Sequence, residues 1–576
     1  MENKDFFCIN YNGKEYCMQS RVDMDYAISV WLQQFKDIDK KSVFIIFGFG
    51  HKGYIERLSE QYKDNRIIVY EPDSDVIKSQ YNDIALFTNV TVATGADGKM
   101  QYLSALENTV DFLNKSFLQI ASIPNYVNIF KEEYVLFKNY IKMVIEQVLV
   151  SKNTVINDEK IRGRAYIYNM MKISETTSFL EMYEEFKNCD FSNYSAVVVS
   201  AGPSLDKNVK ELKKYKGKVF ILCCDGAIRT LLENDIVPDM TICVDPGKNP
   251  ESFATPEAAA IPMFISPQTN YELSRKITGR KFMIKTRERT LIDAIYEYYG
   301  KELFAAPTGG SVANTAFTLV RVLGFGKIVL IGQDLAFSEG KLHSDAYAED
   351  TIKEEVFAKP DIEYVEGING DKVLSDGLFK LYREWFEKQC ELYPDTVIID
   401  ASEGGALIKG TKIMTLKEAL SMSDQNETID FEEMVASVPY SFADEQKKQV
   451  DEFLDSVVKS VSKICDEIKR ELNNYDDLDR IIRNNVPNQK ELKKVLEKVM
   501  AYLTKLENYP ANTLFNMFEN KQDYEIMEEL AGRESNSNND MLKEVRLLAK
   551  TGRATLERYL ASGKTFKEQW DIVWNS

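Results

Sequence analysis

The sequence predicts an α/β fold in which a Rossmann-like central domain with a largely parallel sheet, residues 191–425, follows a smaller N-terminal α/β domain, 1–150, and a helical linker, 151–190. A C-terminal helical domain, 426–576, completes the chain. Two observations carry this reading. Short apolar runs alternate with helical patterns up to about residue 425, as expected of strands buried on both faces by crossover helices. Beyond that point glycine becomes rare, Glu, Lys, Leu and Asn dominate, and 444–473 and 489–507 carry apolar residues at helical spacing.

In the first region, KSVFIIF (41–47) ends in Gly48-Phe49-Gly50-His51-Lys52-Gly53, and RIIVY (66–70) ends in Glu71-Pro72-Asp73. Strand, glycine turn, helix, strand and acid in that order outline a dinucleotide or nucleoside fold. Two readings stay open there: a ligand site, or glycines needed only for a tight turn over an empty site. His51 is read as structural. In the central region the candidate strands are 195–200, 218–224, 240–244, 263–266, 281–285, 327–332 and 396–400.

Bulk properties exclude several classes. Lys and Arg number 72 against 90 Asp and Glu, a formal net charge of -18, which disfavours nucleic acid and anionic membrane as partners. The start of the chain lacks the apolar core of a signal peptide, and no run approaches the roughly 18 apolar residues of a membrane span. Eight irregularly spaced cysteines without a CxxC pair argue against a zinc site and for a reducing cytoplasm, with Cys223 and Cys224 as reduced core residues. Only two histidines are present, so metal clusters built on several histidines are excluded, and no metal is expected.

The chemistry-bearing residues sit just after the predicted strands, where open α/β sheets bind ligands. Gly202, Pro203, Ser204 and Leu205 open a helix after the strand at 195–200. The turn offers either an anion site or a plain N-cap. Asp225 follows the second strand; Asp239 and then Asp245, before Pro246, flank the third. The strongest cluster is Pro307-Thr308-Gly309-Gly310-Ser311-Val312-Ala313-Asn314-Thr315-Ala316, two glycines and three hydroxyls before a helix running to about Leu323. Such a start can grip phosphate or carboxylate. After KIVLIG come Gln333, Asp334 and, in a polar loop, His343, the better placed histidine for general acid or base work. Asp400 to Ala406 (DASEGGA) is the last cluster, where Glu403 is placed to orient an acceptor.

GPSL, CDGA, PD with VDP, TGGSVANTA, LIGQDLAF with a nearby His, and ASEGGA, in that order, resemble the motility accessory factors, or flagellin glycosyltransferases. The resemblance covers 191–425 and extends more loosely to the flanking regions. It implies a central domain similar to bacterial sialyltransferases, which take a CMP-activated sugar and generally need no catalytic metal. By that resemblance Gly202 to Leu205 line the nucleotide site. Thr308, Gly309, Gly310, Ser311 and Asn314 face the CMP phosphate or sugar carboxylate. Asp225, Asp245 and Gln333 lie around the nucleotide sugar. His343 corresponds by chain order to the catalytic histidine, with Asp334 and Glu403 beside it. Ala201 stands where the sialyltransferases often have Asn. The activity implied is transfer of a nonulosonic acid, of pseudaminic or legionaminic type, to Ser or Thr hydroxyls of flagellin in the cytoplasm, with no further cofactor. Lys248 and Arg229 are nearby cations without an assigned role. Two other readings compete: an ATP- and magnesium-dependent 6-hydroxymethylpterin diphosphokinase, whose domain is of the same GPSL type, and a non-catalytic flagellin chaperone.

Overall fold

The computed structural model describes the chain except at positions 1–7, 12–13, 18–22, 37, 40, 79–87, 96, 112–113, 158, 286–288, 308, 338–343, 345–361, 484–487, 519–540 and 576. Two compact units are present, one built on residues 1–154 and one on 155–520 with 545–576.

The first unit contains four parallel strands, β1 (Val43–Phe47), β2 (Arg66–Glu71), β3 (Val90–Thr94) and β4 (Leu118–Ser122), in the order β3-β2-β1-β4. Every residue of β1 is buried, because it has a neighbour on each side and covered faces. The two apolar runs expected as strands are β1 and β2. β3 (VTVAT) and β4 (LQIAS) are mostly half-buried, with one buried residue each, and their mixed composition gives no comparable apolar run. Helices Gly53–Gln61 and Gly98–Thr109 connect β1 to β2 and β3 to β4. An antiparallel hairpin, Cys8–Tyr11 with Lys14–Cys17, precedes them, and its register sets positions 8 and 17 opposite each other. Cys17 is disulfide-bonded, which departs from the fully reduced state expected. Cys223 and Cys224 are free thiols in the core, as expected.

The second unit is organised by a nine-stranded sheet. Its strands are β5 (Thr177–Ser178), β6 (Ser195–Val199), β7 (Val219–Cys224), β8 (Met240–Cys243), β9 (Met263–Ile265), β10 (Lys281–Met283), β11 (Lys327–Ile331), β12 (Val397–Asp400) and β13 (Lys412–Ile413). Their order is β13-β12-β11-β6-β7-β8-β9-β10-β5, all parallel. All seven strands expected from the central region form. The two-residue edge strands β5 and β13 are too short to register as a pattern.

Side chains alternate across a strand, so each strand feeds two cores. Val197, Val199, Ile221, Cys223, Val329 and Ile331 face one; Ala196, Val198, Phe220, Leu222, Ile328 and Leu330 face the other. The second face is covered by helices Phe179–Phe186, Val312–Val322, Gly377–Leu392 and Phe431–Ser437. On the first face, helix Glu159–Met171 and the 39-residue helix Asp444–Ile482 join the core. The long helix contributes Val450, Leu454, Val457, Val461, Ile464 and Ile468, an alternating four-and-three spacing that makes one apolar stripe. Helices Gln489–Glu507 and Met541–Asn575 add Val499, Leu506, Leu556 and Phe566 to the same core. No described helix is long and apolar enough to cross a membrane.

Candidate functional site

The sheet of the second unit reverses direction once. From β6 the chain lays β7 to β10 outward on one side; β11 then pairs with the other side of β6, and β12 and β13 continue away. The carboxyl ends of β6 and β11 therefore flank the topological switch point, where open α/β sheets hold their ligands. The turns at Ser200–Leu205, Asp225, Asp245, Gly332–Leu335 and Asp400–Gly405 all arrive at this edge, each directly after its strand. Helix Val312–Val322 leads into the amino end of parallel β11. Its N-terminus therefore returns to the carboxyl edge as well. Thr308 and His343 lie outside the described residues.

At the first turn, Gly202 donates its N–H to Gly332 O at 2.8 Å. A Cβ on Gly202 would stand 2.3 Å from Asp334 Oδ1 and 2.4 Å from Gly332 O. The glycine is thus required by its protein neighbours. Ser204 does not cap its helix by side chain. Its hydroxyl and its N–H (3.1 Å) both go to the Asp334 carboxylate. The helix Leu205–Asn208 is a single turn followed by a 3-10 segment, and of the two readings open from sequence the plain side-chain N-cap is not made. Pro203 is buried, and Leu205 is wholly buried in the apolar core, supporting the turn from beneath.

Asp334 organises the neighbouring turns. Its backbone carbonyl accepts from Ala406 N–H at 2.7 Å, and Gly405 (φ 88°) approaches so closely that a Cβ would lie 2.2 Å from that oxygen. Gln333 accepts from the Ser200 hydroxyl at 2.7 Å and donates its N–H to Ser402 Oγ at 3.1 Å. Glu403, in the left-handed region at φ 59°, uses Oε1 to accept from Asn208 Nδ2 and Leu416 N–H, each at 3.0 Å. The carboxyl groups expected to be catalytic at Asp334 and Glu403 are thus engaged in holding turns together.

Asp400, the last residue of β12, opens the DASEGGA cluster but has no role assigned to it from sequence. It is fully buried, and Oδ1 accepts the Ser402 N–H at 3.1 Å. Burial pushes its carboxyl up to about 7; the Ser402 bonds oppose this and the Asp334 charge adds to it. Its signal was positional: an acid closing the apolar run VIID has one environment to enter, the sheet edge.

The TGGS turn is shaped by helix Gly377–Leu392. Gly309 (φ 52°) lies against Trp385 and Gly310 (φ 95°) against Tyr382, where a Cβ would meet ring atoms at 2.5 and 3.0 Å. Trp385 and Tyr382 are three apart and share one helix face. Ser311 is the N-cap, accepting from Asn314 N–H at 3.1 Å and donating to Asn314 Oδ1 at 2.7 Å. Buried Asn314 in turn contacts Tyr382 O at 3.4 Å. The Tyr382 phenol is pushed up to about 12, by burial first and then by Asp376 and Asp245. Asp245 is exposed, its Oδ1 accepting Gly247 N–H at 2.8 Å. An eleven-residue helix start, with its dipole, therefore faces the same edge as Asp245.

Asp225 is buried and forms an ion pair with Lys248 at 3.0 Å. Among the described residues, no nitrogen or oxygen donor reaches its buried Oδ2. Burial first, and Asp225 second, push the Cys243 thiol upward. Among the described residues, no group of three or more His, Cys, Asp and Glu could hold a metal ion.

The glycine turn of the first unit is filled by its own side chain. Cβ atoms on Gly48 and Gly50 would meet the Tyr126 ring at 2.3 Å and Ile123 at 2.6 Å. Tyr126 Oη donates to Glu71 Oε2 at 2.6 Å and accepts from Gly50 N–H at 2.9 Å. Glu71, where a ribose-binding acid would stand, also accepts Phe49 N–H at 2.7 Å and is fully buried. Of the two readings open from sequence, the geometry is that of the structural turn. His51 is structural too, its Nδ1 accepting Gly53 N–H at 3.2 Å.

Residues 164–340 match the family described as 6-hydroxymethylpterin diphosphokinase MptE-like. The 6-hydroxymethyl-7,8-dihydropterin pyrophosphokinase of Methanothermobacter thermautotrophicus is 23% identical over 190 residues, 31% of this chain and 78% of that protein. The solved structure of MAf glycosyltransferase from Magnetospirillum magneticum AMB-1 is similar with a TM-score of 0.43 and 14% identity, covering 97% of this chain and 86% of that one. The pterin diphosphokinase-type domain named from the sequence thus recurs among these comparisons.

Proposed function

We propose that this chain is a cytoplasmic glycosyltransferase that moves a nonulosonic acid from its CMP-activated form to Ser or Thr hydroxyls of flagellin. One observation supports this above the others. The motifs whose order resembles the flagellin glycosyltransferases gather at a single carboxyl edge, around the switch point between β6 and β11. In this reading the acceptor oxygen attacks the anomeric carbon and the bond to the CMP phosphate breaks. His343 takes the acceptor proton. The leaving phosphate is stabilised by the N-terminus of helix Val312–Val322, with Ser311 and Asn314 fixing that turn. Asp334 and Glu403 act as positioning residues, because their carboxylates hold the turns that frame the crevice. Ser344 donates its N–H to Ala201 O at 2.8 Å and shares a hydroxyl contact with Thr230, which ties Ser344 to the GPSL turn.

The match of 164–340 to the pterin diphosphokinase-like family favours a second reading, transfer of a diphosphate from ATP to a hydroxymethylpterin. Calorimetric titration with CMP, and separately with ATP plus magnesium, discriminates the two. Metal-independent CMP binding, followed by a mass increase of one nonulosonic acid on flagellin given the CMP-activated donor, is the expected result. ATP binding with AMP release on adding hydroxymethyldihydropterin would replace the first reading by the second.

A further inference from the structure

We infer that Arg162 is an oxyanion-binding residue of the carboxyl edge, which holds the phosphate or the sugar carboxylate of the acidic donor through its two terminal nitrogens. The inference rests on the glycosyltransferase reading for the name of the anion and adds a residue to that site. Arginine is seldom buried unless the protein itself satisfies its charge. Among the described residues Arg162 is the one arginine more than nine-tenths buried, with 8% of its surface exposed. Its Nε donates to Gln268 Oε1, a neutral acceptor, at 3.1 Å. Among the described residues no acid pairs with it, no ring stacks on it, and Nη1 and Nη2 find no acceptor. Both terminal nitrogens touch solvent, since the sealed side-chain atoms that lack a partner do not include them. Half-buried Arg280 and Arg321 show how this protein satisfies a structural guanidinium: Arg280 donates to a series of carbonyls, and Arg321 stacks on Tyr393 at 3.7 Å.

Position puts those nitrogens beside the candidate site. Helix Glu159–Met171 leads through a 3-10 turn into the amino end of parallel β5, so its first turn, which carries Arg162, lies at the carboxyl edge. Helical side chains lean toward the N-terminus, here toward that edge. Gln268 belongs to the turn that follows β9 at the same edge. Asn169, two turns after Arg162 on the same helix face, is buried and donates to Pro267 O at 3.3 Å and Thr269 O at 2.7 Å. Thr269 Oγ1 in turn donates to Cys243 O at 2.6 Å, at the end of β8. Asn270 gives its N–H to Asp245 O at 3.2 Å and its Nδ2 to Pro246 O at 3.0 Å. The turn that orients Arg162 is therefore fixed both to the arginine's own helix and to the Asp245 loop. The charge of Asp245 also reaches Tyr382, which packs on Gly310 of the TGGS turn. Arg162 and the start of helix Val312–Val322 thus have one loop as common neighbour. A planar guanidinium with two open nitrogens matches a carboxylate or a phosphate bidentately. The unpaired charge costs stability in the free protein, and a ligand anion removes that cost on binding.

The test is calorimetric titration of the full chain with CMP and with CMP-activated pseudaminic and legionaminic acids, together with thermal melting without ligand. Arg162→Met keeps the apolar stem and removes the charge, and half-buried Gln268 can turn to water. Affinity for the activated sugar falls roughly tenfold or more, the size of a charge-assisted hydrogen bond. The melting temperature of the unliganded variant equals or exceeds that of the wild type, because an uncompensated buried charge has been removed. A structural arginine gives the opposite result, a lower melting temperature, and that outcome overturns the inference. Arg162→Lys keeps the charge without the fork and loses less affinity than Arg162→Met. A parallel loss of CMP affinity in Arg162→Met identifies the phosphate as the anion, and CMP affinity kept within about twofold identifies the sugar carboxylate. Unchanged affinity for the activated sugar in Arg162→Met overturns the role of Arg162 and leaves the glycosyltransferase reading standing. Failure of the wild type to bind CMP or either activated sugar overturns both.

Discussion

Ser204 gives both its N–H and its hydroxyl to one carboxylate, that of Asp334, and this pair joins the turn after β6 to the turn after β11 across the switch point. The GPSL motif is therefore read here as half of a protein–protein contact within the chain. The first prediction follows. Asp334→Ala leaves a buried Ser204 donor pair without its charged acceptor and destabilises the fold by about 2–3 kcal/mol. Gly202→Ala is destabilising too, and Asp334→Ala does not rescue it, because Gly332 O still stands 2.4 Å from the new Cβ. Urea unfolding of the two single variants and the double variant measures this; a double variant as stable as Asp334→Ala alone would refute the backbone clash.

The TGGS turn separates cap from shape. Ser311→Ala removes the cap of helix Val312–Val322 and costs about 1 kcal/mol. Gly309→Ala is expected to cost more, since it combines a positive φ with a Cβ 2.5 Å from the fixed Trp385 ring. Reversal of that order in urea melts would mean that helix Gly377–Leu392 yields easily. Neither substitution adds or removes a charge, so any large loss of CMP affinity in a folded Ser311→Ala variant reports the helix terminus itself.

Apart from the two-residue edges β5 and β13, strand positions in the second unit were legible because the strands lie in largely apolar runs; VVV and IVLI cannot lie anywhere but between covered faces. The ends of those runs located the edge where the candidate residues gather. The sequence could not show what each side chain does on arrival. Ser204 reads as a cap, and only the approach of β11 converts it into a partner of Asp334. Glu71 reads as a ribose ligand because its spacing from Gly48 is right, and only Tyr126, 55 residues later, shows the place taken. Long-range partners leave no local pattern, which is also why Asp400 and Lys248 have no role assigned from sequence.

Arg280 ties the sheet to helix Phe431–Ser437. Its Nη1 donates to the carbonyls of Val435 (3.3 Å), Ala436 (3.0 Å) and Val438, and Nη2 to Pro439 O (3.2 Å) and Thr177 Oγ1 (2.9 Å). The guanidinium also stacks on Tyr440, 4.3 Å from the ring centroid. It thus caps the C-terminus of helix Phe431–Ser437, where a cation is favoured by the dipole. Arg280→Lys keeps the charge and loses the fork, with an expected loss of about 2 kcal/mol; Arg280→Met loses more. Equal melting temperatures for wild type and Arg280→Lys would show that the fork contributes nothing.

Glu71 makes the first unit sensitive to pH. Burial raises its carboxyl from 4.5 to about 7, against the lowering effect of Tyr126 and the Phe49 and Asp73 N–H groups. Below pH 4.5 the folded and unfolded chains are both protonated there, and the stability of the unit is undiminished. Between 4.5 and 7 the folded state holds a proton that the unfolded state has released, so stability falls as pH rises. Above about 7 both states are ionised and the loss is complete, on the order of 3 kcal/mol. Glu71→Gln cannot ionise and removes this slope. It also replaces the acceptor of the Asp73 N–H at 2.9 Å by a donor, which costs roughly 1 kcal/mol at every pH. Urea unfolding of the β1 segment, followed by pulse-labelling mass spectrometry at pH 5 and pH 8, reads the unit separately from Asp400, whose carboxyl is raised in the same direction in the second unit. The two proteins should be nearly equally stable at pH 5, and the variant the more stable at pH 8. A wild type whose β1 segment unfolds at the same urea concentration at both pH values would mean that Glu71 is ionised in the folded protein throughout, held by its three donors against burial.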